Sequence, residues 1–479
     1  MKARQVLLFI LSVCLLLGAV WSVFPAEGVR IGPWRLRFAS YQGHLRDLQE
    51  RKLDLDSLLL ARQRRFEMQQ DTLLAYYREF FYEDPDRIYL PEDDYTFFDP
   101  VFRAFEQARM AGKTVRIVHY GDSQIELDRI SSNLRDALQE RFGGEGTGMF
   151  PAVTRTPMAS ISHSAAGNLT GFPMIGDSLT RRAGHNRYGP LAQVVSVYGD
   201  GTVSLRGLRQ KSTPERVKRF SSVSVLYGRA SEDFLVKVQS DTMMPKPVTR
   251  MQDGLTWSTW HFSKPVDKVT VRFSGSAEVY GIAADGKAGV AVDNVPLRGS
   301  TGTILTRIDK DLMKNAYTLD DTYLVILQFG GNFVPAARSS KAISGYMDQV
   351  RDQIAWFRES VPGGKILFIG PSDMAAWNEE DGRLHSYRHL AEMVDSLKAV
   401  TLGCGAAYWD LYGMMGGANS MPQWVRHKPA LAGPDYVHFT PAGAKVVGET
   451  LSRSLLTYYD FYDLRKTLPS ELVEQSMER

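Results

Sequence analysis

Short, nearly continuous apolar runs alternate with helical patterns in two parts of the chain. The apolar runs lie at 115–120, 323–329 and 365–369, as expected for strands buried on both faces of a parallel sheet. Helical spacing of apolar residues follows them, at 125–138, 343–360, 387–400 and 441–455. This alternation predicts a doubly wound α/β domain.

The pattern changes between about 180 and 285. Alternating segments such as 223–227 and 269–273 are separated by turn residues and show no helical periodicity. Short strands at this spacing predict a β-sandwich. Because α/β patterns stand on both sides, we expect an inserted module, comparable to a carbohydrate-binding domain.

A basic segment and a long apolar stretch open the sequence. No charge interrupts 6–24, and a bilayer core of about 30 Å needs about 20 such residues. We expect an uncleaved signal anchor in the inner membrane, with the rest of the chain periplasmic or otherwise extracytoplasmic. A cleaved signal, giving a secreted form, is the alternative, since Pro25-Ala26 is compatible with a cleavage site.

Leucines spaced among Arg, Glu and Gln between about 40 and 80 predict a helical stem. The predicted boundaries are a signal anchor at 1–28, a helical stem at 29–110, the two parts of the α/β domain at 111–178 and 286–460, the inserted β-sandwich at 179–285 and a C-terminal tail at 461–479.

Composition narrows the classes of function. The 479 residues carry 57 Lys+Arg against 54 Asp+Glu, and no basic block is interleaved with aromatics, so a nucleic-acid partner is not expected. The two cysteines, Cys14 and Cys404, are too few for a zinc cluster or an iron–sulfur site. We expect neither a metal nor an organic cofactor.

Candidate chemistry begins at Gly121-Asp122-Ser123, a tight turn after the first apolar strand. A serine there projects from the carboxyl end of the sheet, where α/β folds bind ligands. Serine needs a base, and Asp435 and His438 stand three apart on a loop before the last helix. His438 would take the Ser123 proton while Asp435 orients the imidazole. A second Gly-Asp-Ser, at 176–178, lacks the strand and helix and is discarded.

These blocks resemble the SGNH (GDSL-like) hydrolase superfamily. Gly121-Asp122-Ser123 matches its first block, Gly330-Gly331-Asn332 its third, and Asp435 with His438 its last. The resemblance implies a three-layer αβα, flavodoxin-like domain. It also implies an oxyanion hole formed by the Ser123 and Gly302 amides and the Asn332 side chain, with Gly299 as the alternative to Gly302.

Two positions depart from the lipase-type pattern, Gln124 in place of leucine and Phe333 in place of aspartate. Gly-Asp-Ser-Gln followed by the stretch 126–130 is similar to exported bacterial members that act on O-acetylated cell-wall or other polysaccharides, some of which carry an inserted β-sandwich. The resemblance therefore implies an esterase that deacylates a polysaccharide or peptidoglycan. An O-acetyltransferase and a non-catalytic glycan-binding protein are the alternatives, and the oligomeric state stays open.

Other polar and aromatic residues have competing interpretations. Asp122, Gln124 and Gly331 are candidates for lining the pocket, although Asp122 is expected mainly to brace the turn. Gln124 and Arg129 would contact substrate or lie on a solvated helix face. His119 is expected to be structural, Asp373 is a pocket candidate, and Trp257 and Trp260 are expected in the core of the insertion rather than stacked on sugars.

Overall fold

The computed structural model of the chain describes residues 3–25, 28–36, 41, 70–154, 157–176, 180–208, 214–240, 248–252, 254–379 and 381–478. Two compact units make up the chain, residues 1–78 with 473–479 and residues 79–472. Most of the predicted stem helix, 42–69, lies outside the described residues.

Helices and strands are numbered here in chain order. The helices are α1 Ala3–Val23, α2 Gln70–Tyr82, α3 Asp99–Met110, α4 Ser131–Phe142, α5 Glu215–Lys218, α6 Lys310–Leu319, α7 Ser340–Ser360, α8 Leu390–Gly403, α9 Leu411–Met414, α10 Met421–Arg426, α11 Pro441–Arg465 and α12 Ser470–Met477. The strands are β1 Val29–Ile31, β2 Trp34–Leu36, β3 Ile88–Tyr89, β4 Thr114–Gly121, β5 Gly146–Phe150, β6 Ile161–Pro173, β7 Gln193–Gly207, β8 Phe220–Gly228, β9 Leu235–Gln239, β10 Val248–Gln252, β11 Leu255–Val266, β12 Lys268–Ser274, β13 Ser276–Asp285, β14 Gly289–Pro296, β15 Thr322–Gln328, β16 Lys365–Ile369, β17 Ala375–Asn378, β18 Arg383–Ser386 and β19 Ala407–Trp409.

In the first unit, α1 is followed by a hairpin in which β1 pairs antiparallel with β2. Within the part of the chain that the structure describes, no helix is both long and apolar enough to cross a membrane. The predicted transmembrane anchor is therefore not supported.

A six-stranded sheet forms the centre of the second unit, in the order β14-β4-β15-β16-β19-β3. The first five strands run parallel, and β3 pairs antiparallel with β19. Val118, Tyr120 and Leu327 share a hydrophobic cluster with α6, α7 and α8 on one face. The opposite face is covered by α3, α4 and α11. The predicted α/β domain is confirmed, and β4, β15 and β16 form where the apolar runs predict them.

Nine strands from β5 to β13 form one continuous antiparallel sheet. Alternate apolar residues of β7, β8 and β12 meet in one core, which includes Val195, Val225 and Val271. The strands predicted for an insertion are therefore present, but they form one sheet instead of the two sheets of the predicted β-sandwich, because β13 pairs with β5, β7 and β8. Two members of the sheet, β5 and β6, precede residue 179, where we predict the insertion to begin. Much of β6 is exposed and built from small residues, so it carries little alternation.

The helix predicted from 125 onward begins later than expected. A short 3-10 helix covers Ser123–Ile125, and α4 starts only at Ser131. Between them Leu127 and Asp128 adopt positive φ angles of 61° and 62°. A buried ion pair holds this segment, because Arg135 donates to both carboxylate oxygens of Asp128 at 2.6 and 3.0 Å. The helix ends at Gly143, which adopts a positive φ of 82°.

A buried arginine joins the two sheets of the second unit. Arg116 of β4 donates to Asp293 of β14 at 2.6 Å and to Asp285, at the end of β13, at 2.7 Å. Its Nε lies 3.7 Å from Asp320, just after α6. Burial raises the pKa of Asp293 to about 6 and that of Asp320 to about 7, although the charge of Arg116 opposes both shifts.

Candidate active site

The turn after β4 presents Ser123 at the carboxyl end of the parallel sheet. Gly121 allows close packing there, because an added Cβ would lie 3.0 Å from the Ile125 side chain and 3.1 Å from the Gln328 carbonyl. Asp122 braces the turn as expected, since its Oδ1 accepts the Gln124 N–H at 2.9 Å. The residue types of this turn therefore expose one hydroxyl at the end of a rigid strand.

Ser123, His438 and Asp435 form a continuous hydrogen-bonded chain, although 315 positions separate the serine from the histidine. Ser123 Oγ lies 2.9 Å from His438 Nε2, and His438 Nδ1 lies 2.7 Å from Asp435 Oδ2. The structure thus brings together the three residues predicted to share a pocket. This is the arrangement in which an imidazole accepts a serine proton while a carboxylate fixes its tautomer.

The loop that carries His438 is held in shape by hydrogen bonds between the Asp435 side chain and backbone N–H groups of the same loop. Asp435 Oδ1 accepts the N–H groups of Val437 and His438, both at 3.1 Å. Partial burial would raise the pKa of Asp435, but these bonds and the His438 ring outweigh it and lower the pKa below its usual value. Asp435 therefore stays ionised beside the imidazole. Thr440 then caps α11 by accepting the Gly443 N–H at 3.2 Å.

Gln124 clamps this loop onto the serine turn. Its Nε2 donates to the Val437 carbonyl at 2.7 Å, and its Oε1 accepts the Phe439 N–H at 3.2 Å. The two backbone groups flank His438 on either side. Arg129 adds a further bond to the Phe439 carbonyl at 3.0 Å. Gln124 and Arg129 thus hold the position of His438, a role that neither sequence interpretation assigned to them.

Asn332 lies beside Asp122 at the start of the 3-10 helix Gly331–Ala336 that follows β15. Its Nδ2 donates to Asp122 Oδ2 at 3.1 Å and to the Ser300 carbonyl at 3.2 Å. Burial raises the pKa of Asp122 to about 6, against the opposing effects of the Gln124 N–H, His438 and Asn332. These bonds hold the Asn332 amide at the edge of the pocket that contains Ser123.

The pocket around Ser123 is small and partly apolar, with a volume of about 130 Å³. Its polar wall contains Ser123, His438 and Asn332, and it also includes the predicted Asp122, Gln124 and Gly331. Its apolar wall is formed by Phe329, Pro335, Pro371, Met374 and Leu411.

Gly302 is not brought to this pocket. Its N–H donates to Ser300 Oγ at 3.0 Å, and an added Cβ would lie 2.4 Å from the Phe329 ring. Its positive φ of 85° serves this close packing. The alternative, Gly299, lies on an exposed part of the same loop and is likewise absent from the pocket wall described above.

The remaining candidates are structural. His119 is buried between Gln328 Oε1 at 3.1 Å and Ser131 Oγ at 2.9 Å. Asp373 is buried and binds the Met421 N–H at 2.8 Å rather than lining the pocket. Trp257 and Trp260 are buried, as expected for core residues. Among the described residues, no group of three or more His, Cys, Asp or Glu side chains is placed to hold a metal ion.

Comparison with solved structures identifies the fold. A structure described as a peptidoglycan O-acetylesterase matches with a TM-score of 0.58 and 21% identity, over 75% of this chain and 96% of its own. An acetylxylan esterase from Geobacillus stearothermophilus matches 36% of this chain and 73% of its own, with 17% identity and a TM-score of 0.24. The periplasmic domain of a lipopolysaccharide acetyltransferase from Salmonella ser. Paratyphi A matches 35% of this chain and 73% of its own, with 14% identity and a TM-score of 0.25.

The first of these likenesses shows that the chain shares the α/β fold of that structure. The other two TM-scores lie below 0.5 and add nothing to it. No family model matches the chain, and no curated protein does.

Proposed function

We propose that this protein is a serine esterase that removes O-acetyl or similarly short acyl groups from an extracytoplasmic polysaccharide or peptidoglycan. The observation that carries the proposal is the hydrogen-bonded chain from Ser123 through His438 to Asp435 at the carboxyl end of a parallel sheet. An unassisted serine is a weak nucleophile at neutral pH, and this chain supplies its base.

The reaction follows from the positions of these groups. Ser123 Oγ attacks the ester carbonyl carbon, and His438 Nε2 takes the hydroxyl proton. The C–O bond to the sugar then breaks, and His438 returns that proton to the departing sugar oxygen. Water attacks the acyl-enzyme, giving up a proton through His438, and the free acid and the Ser123 hydroxyl are regenerated.

Negative charge on the carbonyl oxygen needs donors in the pocket. The Ser123 N–H and the Asn332 amide are the two groups we propose for this role. Asn332 Nδ2 donates to Asp122 and to the Ser300 carbonyl in the free protein. One of these bonds is therefore exchanged for a bond to the oxyanion as the charge develops.

The size of the pocket favours a short acyl group. Its volume of about 130 Å³ is well below the roughly 300–1,000 Å³ of typical small-molecule sites. Phe329, Met374 and Leu411 suit a methyl group rather than a charged one. Peptidoglycan is the first polymer to test, because the structure with the same fold is described as a peptidoglycan O-acetylesterase.

Acetate release tests this proposal. The full chain should release acetate from 4-nitrophenyl acetate and from O-acetylated peptidoglycan, and Ser123→Ala should lower kcat on both by several orders of magnitude, because the nucleophile is lost. Asp348→Asn, which removes an exposed carboxylate of α7 paired with Arg351, serves as the matched surface control and should stay near wild type. An unchanged rate in Ser123→Ala would overturn the proposal.

A further inference from the structure

The sugar that carries the ester must lie outside the pocket. A cavity of about 130 Å³ holds an acyl group but not a sugar unit with its neighbours. A polysaccharide substrate therefore lies across the surface around the pocket, and the structure next to the catalytic loop determines what it meets there.

A two-stranded hairpin, β17 with β18, borders the pocket on the side of the catalytic loop. Met374, which lines the pocket, accepts the Tyr387 N–H at 3.2 Å and so closes the base of the hairpin. The next residue, Ala375, donates its N–H to the Tyr436 carbonyl at 3.2 Å. Tyr436 stands between Asp435 and His438, so the hairpin is bonded directly to the loop of the base.

Polar contacts hold the base of this hairpin in place. Asp373 accepts the Ser386 hydroxyl at 2.5 Å through Oδ1 and the Met421 N–H at 2.8 Å through Oδ2. The Ser386 N–H donates to Asn419 Oδ1 at 3.1 Å. A side chain on this hairpin is therefore presented from a fixed backbone, and a ligand that binds it has little ordering entropy to overcome.

Trp377 is the exposed residue of interest on this hairpin. Its side chain is 63% exposed, whereas the other five tryptophans of residues 79–472, all described, are buried or half-buried. An exposed indole leaves a large apolar face in water, which is unfavourable unless a partner covers it. Trp377 lies two strand positions from Ala375, about 7 Å along the strand. Met374, which lines the pocket, is only three residues before Trp377, so the two Cα atoms lie within about 11 Å of each other.

We propose that Trp377 is a sugar-stacking subsite for the polysaccharide beside the acylated unit. The apolar C–H face of a sugar ring packs on the indole, while the ring hydroxyls stay in water. This inference rests on the proposed esterase function. It adds a contact that a glycan polymer can make and that a small ester cannot. It also predicts that Trp377 contributes to substrate capture rather than to the chemical step.

The test compares a polymer with a small ester in the full-length protein. For Trp377→Ala, the kcat/KM for acetate release from O-acetylated peptidoglycan, divided by that for 4-nitrophenyl acetate, should fall about tenfold, the usual scale for truncating a central aromatic contact. Trp377→Phe should keep most of the ratio, since a smaller ring can still stack. Met110→Ala is the control, because it shortens an apolar side chain that is 82% exposed at the end of α3, next to the amino end of β4 and so at the opposite end of the sheet from Ser123.

A second measurement keeps the inference separate from the esterase proposal. In the Ser123→Ala background, co-sedimentation with insoluble O-acetylated peptidoglycan should be weakened about tenfold by Trp377→Ala and not by Met110→Ala. An unchanged ratio together with unchanged sedimentation would overturn the subsite. A wild-type protein that cleaves neither ester would overturn the esterase proposal, and the sedimentation result would then decide the role of Trp377 by itself.

Discussion

Gln124 shows how one side chain can position an imidazole by binding only the backbone groups on either side of it. Its amide donates to the carbonyl before His438 and accepts the N–H after it, at 2.7 and 3.2 Å. The imidazole is thereby held 2.9 Å from Ser123 Oγ. Small errors in such a distance are costly, since a misplacement of about 1 Å can lower a rate by about 10²-fold.

Replacing Gln124 by leucine should therefore lower kcat by roughly 10- to 100-fold with little change in KM, because the loop loses its register while the pocket stays open. Gln124→Glu should recover activity relative to wild type as the pH is lowered, since a protonated carboxyl can again donate to the Val437 carbonyl. The measurement is kcat and KM for 4-nitrophenyl acetate between pH 5 and 8. A Leu variant within twofold of the wild-type kcat would contradict the positioning role.

The hydrogen-bonded chain of Ser123, His438 and Asp435 could be predicted from residue types and their order, but the residues that support it could not. Ser123, Asp435 and His438 are chemically distinctive and stand in matching strand and loop contexts. Gln124 instead binds backbone atoms of residues 313 and 315 positions away. Because every residue carries a backbone, the residue types at those positions do not reveal the contact. The prediction that Gly302 lines the pocket was wrong for a related reason. Hydrogen bonds of Ser300 and Asn332 determine the course of its loop, and no recognisable motif marks these bonds.

At the scale of single elements, continuous apolar runs predicted the positions of the buried strands correctly. The bounds of neighbouring elements depend on local contacts that the apolar pattern does not show. The strands β4, β15 and β16 are buried on both faces, and their sequences show it. The start of α4 was missed because Asp128 and Arg135 pair in the interior and hold the preceding segment out of the helix. The strand β6 was missed because it exposes many small residues, so little hydrophobic alternation marks it.

The ion pairs between Arg116 and its buried carboxylate neighbours should contribute strongly to the stability of the second unit. Arg116→Met would leave three buried carboxylates, those of Asp285, Asp293 and Asp320, without their cation. Breaking a buried ion pair on one side typically costs about 3–5 kcal/mol. The free energy of unfolding, measured by urea titration at pH 7, should fall by about that amount.

The control for this element is Arg250→Met. Arg250 pairs with Asp321 at 3.0 Å, but its own side chain is exposed. Such exposed pairs contribute about 0–1 kcal/mol, so the control should stay close to wild type. Similar losses in the two variants would show that burial does not set the importance of Arg116.

At the scale of the whole second unit, the antiparallel sheet packs into the same core as the α/β domain. Leu226, Leu255 and Tyr280 of the insertion share a hydrophobic cluster with Leu312 and Tyr317 of α6. The alternating pattern predicted an insertion, whereas its single continuous sheet depends on the shared strand β13, which sequence spacing does not reveal. The N-terminal apolar run predicted a membrane anchor by length and composition, and among the described residues the structure does not support one.

Ser123 follows β4, whereas His438 lies on the loop before α11. The whole second unit must therefore fold to place the imidazole next to the serine. Labelling of Ser123 by a fluorophosphonate tests that assembly most directly, since the reagent reacts with a serine activated by a correctly placed imidazole. Intact-mass and peptide-mass spectrometry of the full chain should show one adduct, on Ser123, formed rapidly in the wild type and slowed by orders of magnitude in His438→Ala. Absence of the adduct, or equal labelling in both proteins, would contradict the account.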